Sequence, residues 1–218
     1  MTKILSTTAL TALAVAASFV NVMAQAPAPA PGAAKGGGGR GTPRPVLSVT
    51  STAWPDGGEV PMHNAGARGG DNKSPAFEFH WSLGNMPTDA PPTLKTYAVI
   101  LHDVENVGQM NTTTDTLHWT AFNIPGTAKG LPEGLGAGTL ADGTTNGPGL
   151  GARGGNPAAY FGPGAGPGPF HHYIFEFYAL DTKLDLPATA TRDELIKAMD
   201  GHLIGKAAYV GRFHAPPQ

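Results

Sequence analysis

Two imidazoles side by side, His171 and His172, precede Tyr173 where a rigid Gly/Pro loop opened by Tyr160 (YFGPGAGPGPF, 160–170) meets a long apolar, aromatic stretch. Imidazole changes charge between about pH 5 and 8, so such residues can hold an anion, move a proton or ligate a metal. Binding groups gather on loops that a rigid scaffold holds in place, and the aromatic stretch supplies the scaffold. Two further groups of matching chemistry lie upstream. Asp103 follows the apolar run TYAVIL (96–101), and His118 sits at the start of LHWTAFNI (117–124). If these runs pair as an antiparallel hairpin, segment 104–116 returns the chain so that Asp103 and His118 share one end. A strand beginning near Tyr173 laid beside them brings His171 to the same edge, forming a concave polar site on an apolar scaffold.

The elements that must position these groups are mostly strands. VLSVT (46–50) is a short β-type run, and FEFHW (77–81) alternates aromatic and polar residues as a half-buried strand does. Residues 173–180 are apolar on both faces, with Tyr173, Phe175, Phe177 and Ala179 on one side and Ile174, Tyr178 and Leu180 on the other, which predicts the centre of a covered sheet. Thr191 and Glu194 form a capping box, and Leu195, Ala198, Met199 and His202 share a face, predicting a helix over 191–202. GKAAYVGRF (205–213) is a last strand. The fold class that follows is mainly β with a peripheral helix.

Composition bounds the rest. The 218 residues include 31 glycines and 21 prolines, which implies long irregular connections between short strands. Residues 1–26 read as a secretory signal, with Lys3 as the positive start, an apolar run over 8–20 and a small-residue cleavage site at Ala24 or Ala26. Residues 27–44 (PAPAPGAAKGGGGRGTPR) carry no large apolar side chain and read as a disordered linker, leaving a domain over 45–218. Without cysteine there are neither disulfides nor a lipid-modified cysteine. Removal of the signal leaves 13 basic against 16 acidic residues. With no basic stripe, nucleic acid and anionic lipid surfaces are set aside as partners, Arg40, Arg44, Arg68 and Arg153 being scattered among glycines. The expected location is periplasmic or secreted.

SPAFEFHW (74–81), LHDVEN (101–106), HWTAFNIP (118–125), YFGPGAGPGPFHHYIFEFYALD (160–181) and GHLIGKAAYVGRF (201–213) resemble, in that order, the phosphatidylethanolamine-binding protein family, and its bacterial Raf kinase inhibitor-like branch above all. The resemblance covers about residues 46–213. It implies a central antiparallel sheet, a second smaller sheet, short peripheral helices and a small pocket for phosphate, phosphonate or phospholipid head groups. By position, Asp103 and Glu105 match the acids of the family's Asp-Pro-Asp-Ala-Pro motif and His118 its His-Trp histidine. Gly162 and Pro163 match the Gly-Pro of the pocket loop, and His171 and Tyr173 its His-Arg-Tyr. With Tyr160, these eight are the candidate ligand-binding residues. Backbone N–H groups of the glycine loop and the Tyr173 hydroxyl are expected to donate to the anion, with Asp103 orienting His118 or selecting a cationic or hydroxyl group. The chain departs from the pattern where it reads Asp-Val-Glu-Asn without prolines, where the loop is longer, and where His172 replaces the usual arginine.

Other readings use the same residues. A metal site of Asp103, His118, His171 and His172 is opposed by the strand alternation that points His171 and His172 to opposite faces. A hydrolase or lyase with an Asp103/His118 dyad lacks a nucleophile in a suitable setting, since Ser74 has no elbow glycines around it. A secreted inhibitor or interaction protein acting on a protease or host protein would offer the Gly-rich segment 134–157 as its contact surface, though its composition favours disorder. The expectation is a non-catalytic binding protein without cofactor or metal, taking a small anionic ligand or phospholipid head group.

Overall fold

The computed structural model describes residues 43–107, 113–151 and 158–217. The expected signal (1–26) and most of the linker (27–44) lie outside them. From Thr42 on the chain is one compact unit. Its strands are β1 (Val46–Thr50), β2 (Gly58–Glu59), β3 (Phe77–Leu83), β4 (Met86–Thr88), β5 (Thr96–Val107), β6 (Asp115–Pro125), β7 (Gly130–Leu131), β8 (Thr145–Asn146), β9 (His171–Leu180) and β10 (Leu203–Phe213), with one α-helix, α1 (Arg192–Met199). The smaller sheet runs β1-β3-β4 with β7 also on β3. The larger has six strands in the order β2-β10-β9-β5-β6-β8 and is antiparallel except where β2 meets β10.

The two-sided apolar pattern of β9 is explained by its place inside the larger sheet. Phe175 and Phe177 face the smaller sheet, where the Phe77 ring meets them at 5.0 and 4.9 Å. Each such buried aromatic contributes about 1.5–3 kcal/mol through the surface it removes from water. Tyr97 joins the same layer, its hydroxyl accepting from Trp81 Nε1 at 3.0 Å. On the other face, Tyr178 and Leu180 pack with Ala98, Ile100 and Phe122 beneath Leu195 and Met199 of α1.

The capping box at Thr191 forms as read, the Thr191 N–H donating to Glu194 at 2.7 Å. The helix stops at Met199, because Gly201 turns the chain at φ +82°. His202 therefore lies beyond the helix and pairs with Asp181 at 2.8 Å. Strands β2, β7 and β8, two residues each, carry no periodicity of their own and exist by pairing. The disorder expected over 134–157 does not hold for 134–151. There Asn146 is fully buried, accepting from Trp119 Nε1 at 2.7 Å and donating to the carbonyls of Gly136 and Gly138. Residues 152–157 lie outside the described set. Among the described residues no helix is long and apolar enough to cross a membrane.

Candidate functional site

The expected hairpin forms, with β5 between β6 and β9. Asp103 stands opposite Thr116 on one side and Tyr173 on the other. The β5–β6 register breaks twice near this end. His118 is left between the pairs Leu101–Trp119 and His102–Leu117, and residues 104–106 are left between Asp103–Thr116 and Val107–Asp115. Bulges of this kind re-aim side chains and recur beside active sites. Here they leave His118 and Asp103 both on the buried side, at 2% and 1% exposure.

A hollow of about 260 Å³ lies at this strand end, lined by Asp103, Asn106, His118, His171, Tyr173 and the loop 164–166, with Ala67, Leu150 and Phe161 completing its wall. The His118 ring meets that of Tyr173 edge-on at 5.2 Å. Its Nδ1 lies 3.1 Å from the carbonyls of Phe161 and Gly162, and since both are acceptors, Nδ1 carries the proton. Asp103 is bonded by His171, whose Nδ1 lies 2.9 Å from Oδ2 and 3.1 Å from Oδ1. Oδ1 also accepts the N–H groups of Glu105 and Asn106 at 3.1 and 3.0 Å.

Of the eight candidate residues, four line the hollow: Asp103, His118, His171 and Tyr173. The other four stand behind it or at its edge, and each has a physical reason. Glu105 is turned to His172, accepting from its N–H at 2.6 Å and pairing with its ring at 2.7 Å. Burial pushes the Glu105 carboxyl up, but the His172 N–H and ring outweigh that and hold it below the usual carboxylate range. Tyr160 is buried with its hydroxyl donating to the Asn64 carbonyl at 2.8 Å, and burial, with Tyr173 next, pushes its phenol up. Gly162 sits so close to the Asn64 carbonyl and the Tyr160 hydroxyl that a methyl there would collide with both. Pro163 accepts the Gly66 N–H at 2.8 Å.

Three amides of the loop have partners within the protein. Gly162 N–H donates to Asn72 Oδ1 at 2.9 Å, and the N–H groups of Gly164 and Ala165 donate to the Tyr173 hydroxyl at 3.2 and 3.1 Å. The Tyr173 oxygen thus clips the loop by accepting two of its amides. Burial raises its phenol far above the ordinary value. The two amides oppose that rise and the neighbouring Asp103 adds to it.

Sequence reasoning missed segment 64–72, which braces the pocket loop through Asn64, Gly66 and Asn72. Arg68 and Asn72 take the left-handed conformation at φ 59° and 57°, a cost tolerated when the surroundings fix it. Arg68 reaches over the loop, so that a methyl added at Gly166 would meet its guanidinium at 3.4 Å. A lone arginine among glycines carries no periodic signal that would have shown this. His102 was also passed over. It lies on the far face of β5, 7% exposed, with Nδ1 2.5 Å from Asp115 and Nε2 3.6 Å from Glu176. A larger cleft of about 570 Å³ opens between β3, β4 and residues 126–129, but it gathers no comparable set of imidazoles and buried carboxylate.

Comparison with known proteins agrees with this architecture. The model of the family described as phosphatidylethanolamine-binding protein matches residues 50–214. A UPF0098 protein of Methanothermobacter thermautotrophicus is 33% identical over 168 residues, covering 77% of this chain and 98% of its own. A Mycobacterium tuberculosis protein named as a lipoprotein, LppC, is 30% identical over 178 residues, covering 79% of this chain and 76% of its own. Among solved structures, the phosphatidylethanolamine-binding protein homolog CT736 of Chlamydia trachomatis superposes with a TM-score of 0.62 at 24% identity, covering 78% of this chain and 99% of its own. Escherichia coli YbcL, described as a member of the mammalian family, gives 0.60 at 22% identity with the same coverage. Two sheets and, among the described residues, one peripheral helix, the ordered sequence blocks and a family match running from β2 to β10 place this chain in the phosphatidylethanolamine-binding protein family.

Proposed function

We propose that this chain is an exported, non-catalytic binding protein whose hollow takes phosphate or the phosphorylated head group of a lipid. The observation that carries the reading is the convergence of Asp103, His118, His171 and Tyr173, from three strands, on one hollow of about 260 Å³. That volume falls below the roughly 300–1,000 Å³ of drug-sized sites, so it suits one phosphoryl-sized group with any tail left outside. With the His118 Nδ1 proton given to carbonyls, a neutral ring has only an acceptor at Nε2. Donation to an anion from that nitrogen needs the imidazolium. The buried Asp103 carboxylate opposes an anion unless His171 beside it is also charged. The Arg68 guanidinium over Gly166 supplies a fixed positive charge at the rim, in place of the arginine that His172 replaces.

Among the described residues, serine, threonine and cysteine are absent from the lining of the hollow, which supports binding over nucleophilic catalysis. The leader-like residues 1–26, together with the lipoprotein name of the mycobacterial relative, support export. Calorimetric titration with inorganic phosphate and with phosphoethanolamine at pH 6.0 and 8.0 tests the reading. Affinity is expected to weaken several-fold in His118→Ala and Arg68→Ala. Absence of binding at both pH values, or binding that His118→Ala leaves unchanged, overturns it.

A further inference from the structure

We propose that Asp103, Glu105 and His171 form a site for one divalent transition-metal ion of the Zn²⁺ type at the mouth of the hollow. One donor atom from each, two carboxylate oxygens and an imidazole nitrogen, lie within 4.8 Å of one another. A contraction of about 1 Å brings such a set around an ion at metal–ligand distances of roughly 2.0–2.2 Å. Three protein ligands with a further position left to water is the arrangement of open zinc sites, and the hollow adjoining Asp103 and His171 has room for that water. The mixed oxygen and imidazole set suits zinc and its first-row neighbours better than calcium, which takes six to eight oxygens.

Each carboxylate of the trio is already held by an imidazole, His171 Nδ1 reaching both oxygens of Asp103 and the His172 ring pairing with Glu105. No lysine or arginine among the described residues pairs with Asp103. An ion would take the Asp103 lone pairs that now accept the His171 N–H, and because metal ligands bind in their deprotonated form, binding strengthens as pH rises. Asp103 is fixed in advance by the N–H groups of Glu105 and Asn106, and Glu105 is held by the N–H and ring of His172, in the way that outer partners orient metal ligands. The opposition of His171 and His172 on the strand is no obstacle, because only His171 ligates and His172 acts through Glu105.

The experiment titrates chelator-treated full-length protein with ZnCl₂ in phosphate-free buffer, by calorimetry at pH 6.0 and 7.5, with metal content measured by mass spectrometry. One equivalent is expected, bound more tightly at pH 7.5, with protons released. Glu105→Gln and His171→Asn are each expected to weaken it by at least about tenfold, as loss of even an outer partner does. His63→Ala, at the separate His63–Asp71–Glu133 cluster, is expected to leave it unchanged. Failure to take up zinc, or uptake that neither Glu105→Gln nor His171→Asn alters, overturns the proposal. Should those variants not fold, Co²⁺ bound to the parent protein gives the same answer. An intense visible spectrum of four- or five-coordinate cobalt supports the site, and that of the hydrated ion refutes it.

Discussion

Replacing Tyr173 by phenylalanine removes one oxygen from a fully buried ring, and the structure says what that oxygen does. It accepts two backbone N–H groups, from Gly164 and Ala165, and stands beside the Asp103 carboxylate. Phenylalanine fills the same space, so no cavity forms and the cost is that of stranding the donors. A buried donor left without a partner costs about 1–3 kcal/mol, so the two together come to about 2–4 kcal/mol once partial access of Gly164 to water is allowed for. For a domain of this size a loss of 1 kcal/mol lowers Tm by about 2–4 °C, which makes the expected drop roughly 5–15 °C. Tyr178→Phe is the control. Its hydroxyl donates to Glu176, which keeps Lys206 as a partner at 2.7 Å, and the expected loss is only about 0.5–1.5 kcal/mol. Differential scanning calorimetry of both variants decides. If Tyr173→Phe costs no more than Tyr178→Phe, the hydroxyl is not the clip of the pocket loop.

Gly162→Ala drives a methyl into the Asn64 carbonyl and the Tyr160 hydroxyl, and overpacking against backbone is expected to cost about 3 kcal/mol or more, read as a fall in the urea midpoint. Gly164→Ala, whose added methyl would press on the Ala67 methyl at 3.1 Å and touch Phe161 at 4.0 Å, is expected to lose markedly less, and equal losses refute the packing argument. Asp115 sets the acid limb of stability. Burial pushes its carboxyl up, but Arg192 and His102 outweigh that and hold it below the usual range. A depressed carboxyl adds stability above its unfolded pKa, about 3.9, and loses it as pH falls through the lower folded value. The Tm deficit of Asp115→Asn is therefore expected to be greatest near pH 6–7 and to shrink below about pH 4. A deficit constant from pH 3 to 7 would contradict the sign.

What was legible in the chain follows from periodicity and local capping. The alternation of Phe77, Phe79 and Trp81, the two apolar faces of β9 and the Thr191–Glu194 box each specify their element through neighbours close in sequence. The meeting of Asp103, His118, His171 and Tyr173 was legible because strand ends converge once the hairpin and β9 are placed. The detail was not. Asp103 holds His171 because β9 pairs directly with β5, and His118 is shifted by a bulge that no sequence pattern marks. The Gly162 and Gly164 amides answer Asn72 and Tyr173, partners 90 and 9 residues away in the chain, which no local pattern shows. Gly-rich residues 134–151 read as disordered because the side chain that orders them, Asn146, finds its partners through tertiary packing.

His102 and Asp103 are consecutive, yet they belong to opposite sides of the larger sheet. The first is tied through Asp115 to Arg192 at the start of α1, and the second to the wall of the hollow. One peptide unit is thus a rivet between two polar assemblies that share no side chain. A pull on the Asp103 carboxylate would thus act on a backbone unit whose neighbouring side chain is moored to the start of the helix on the reverse side.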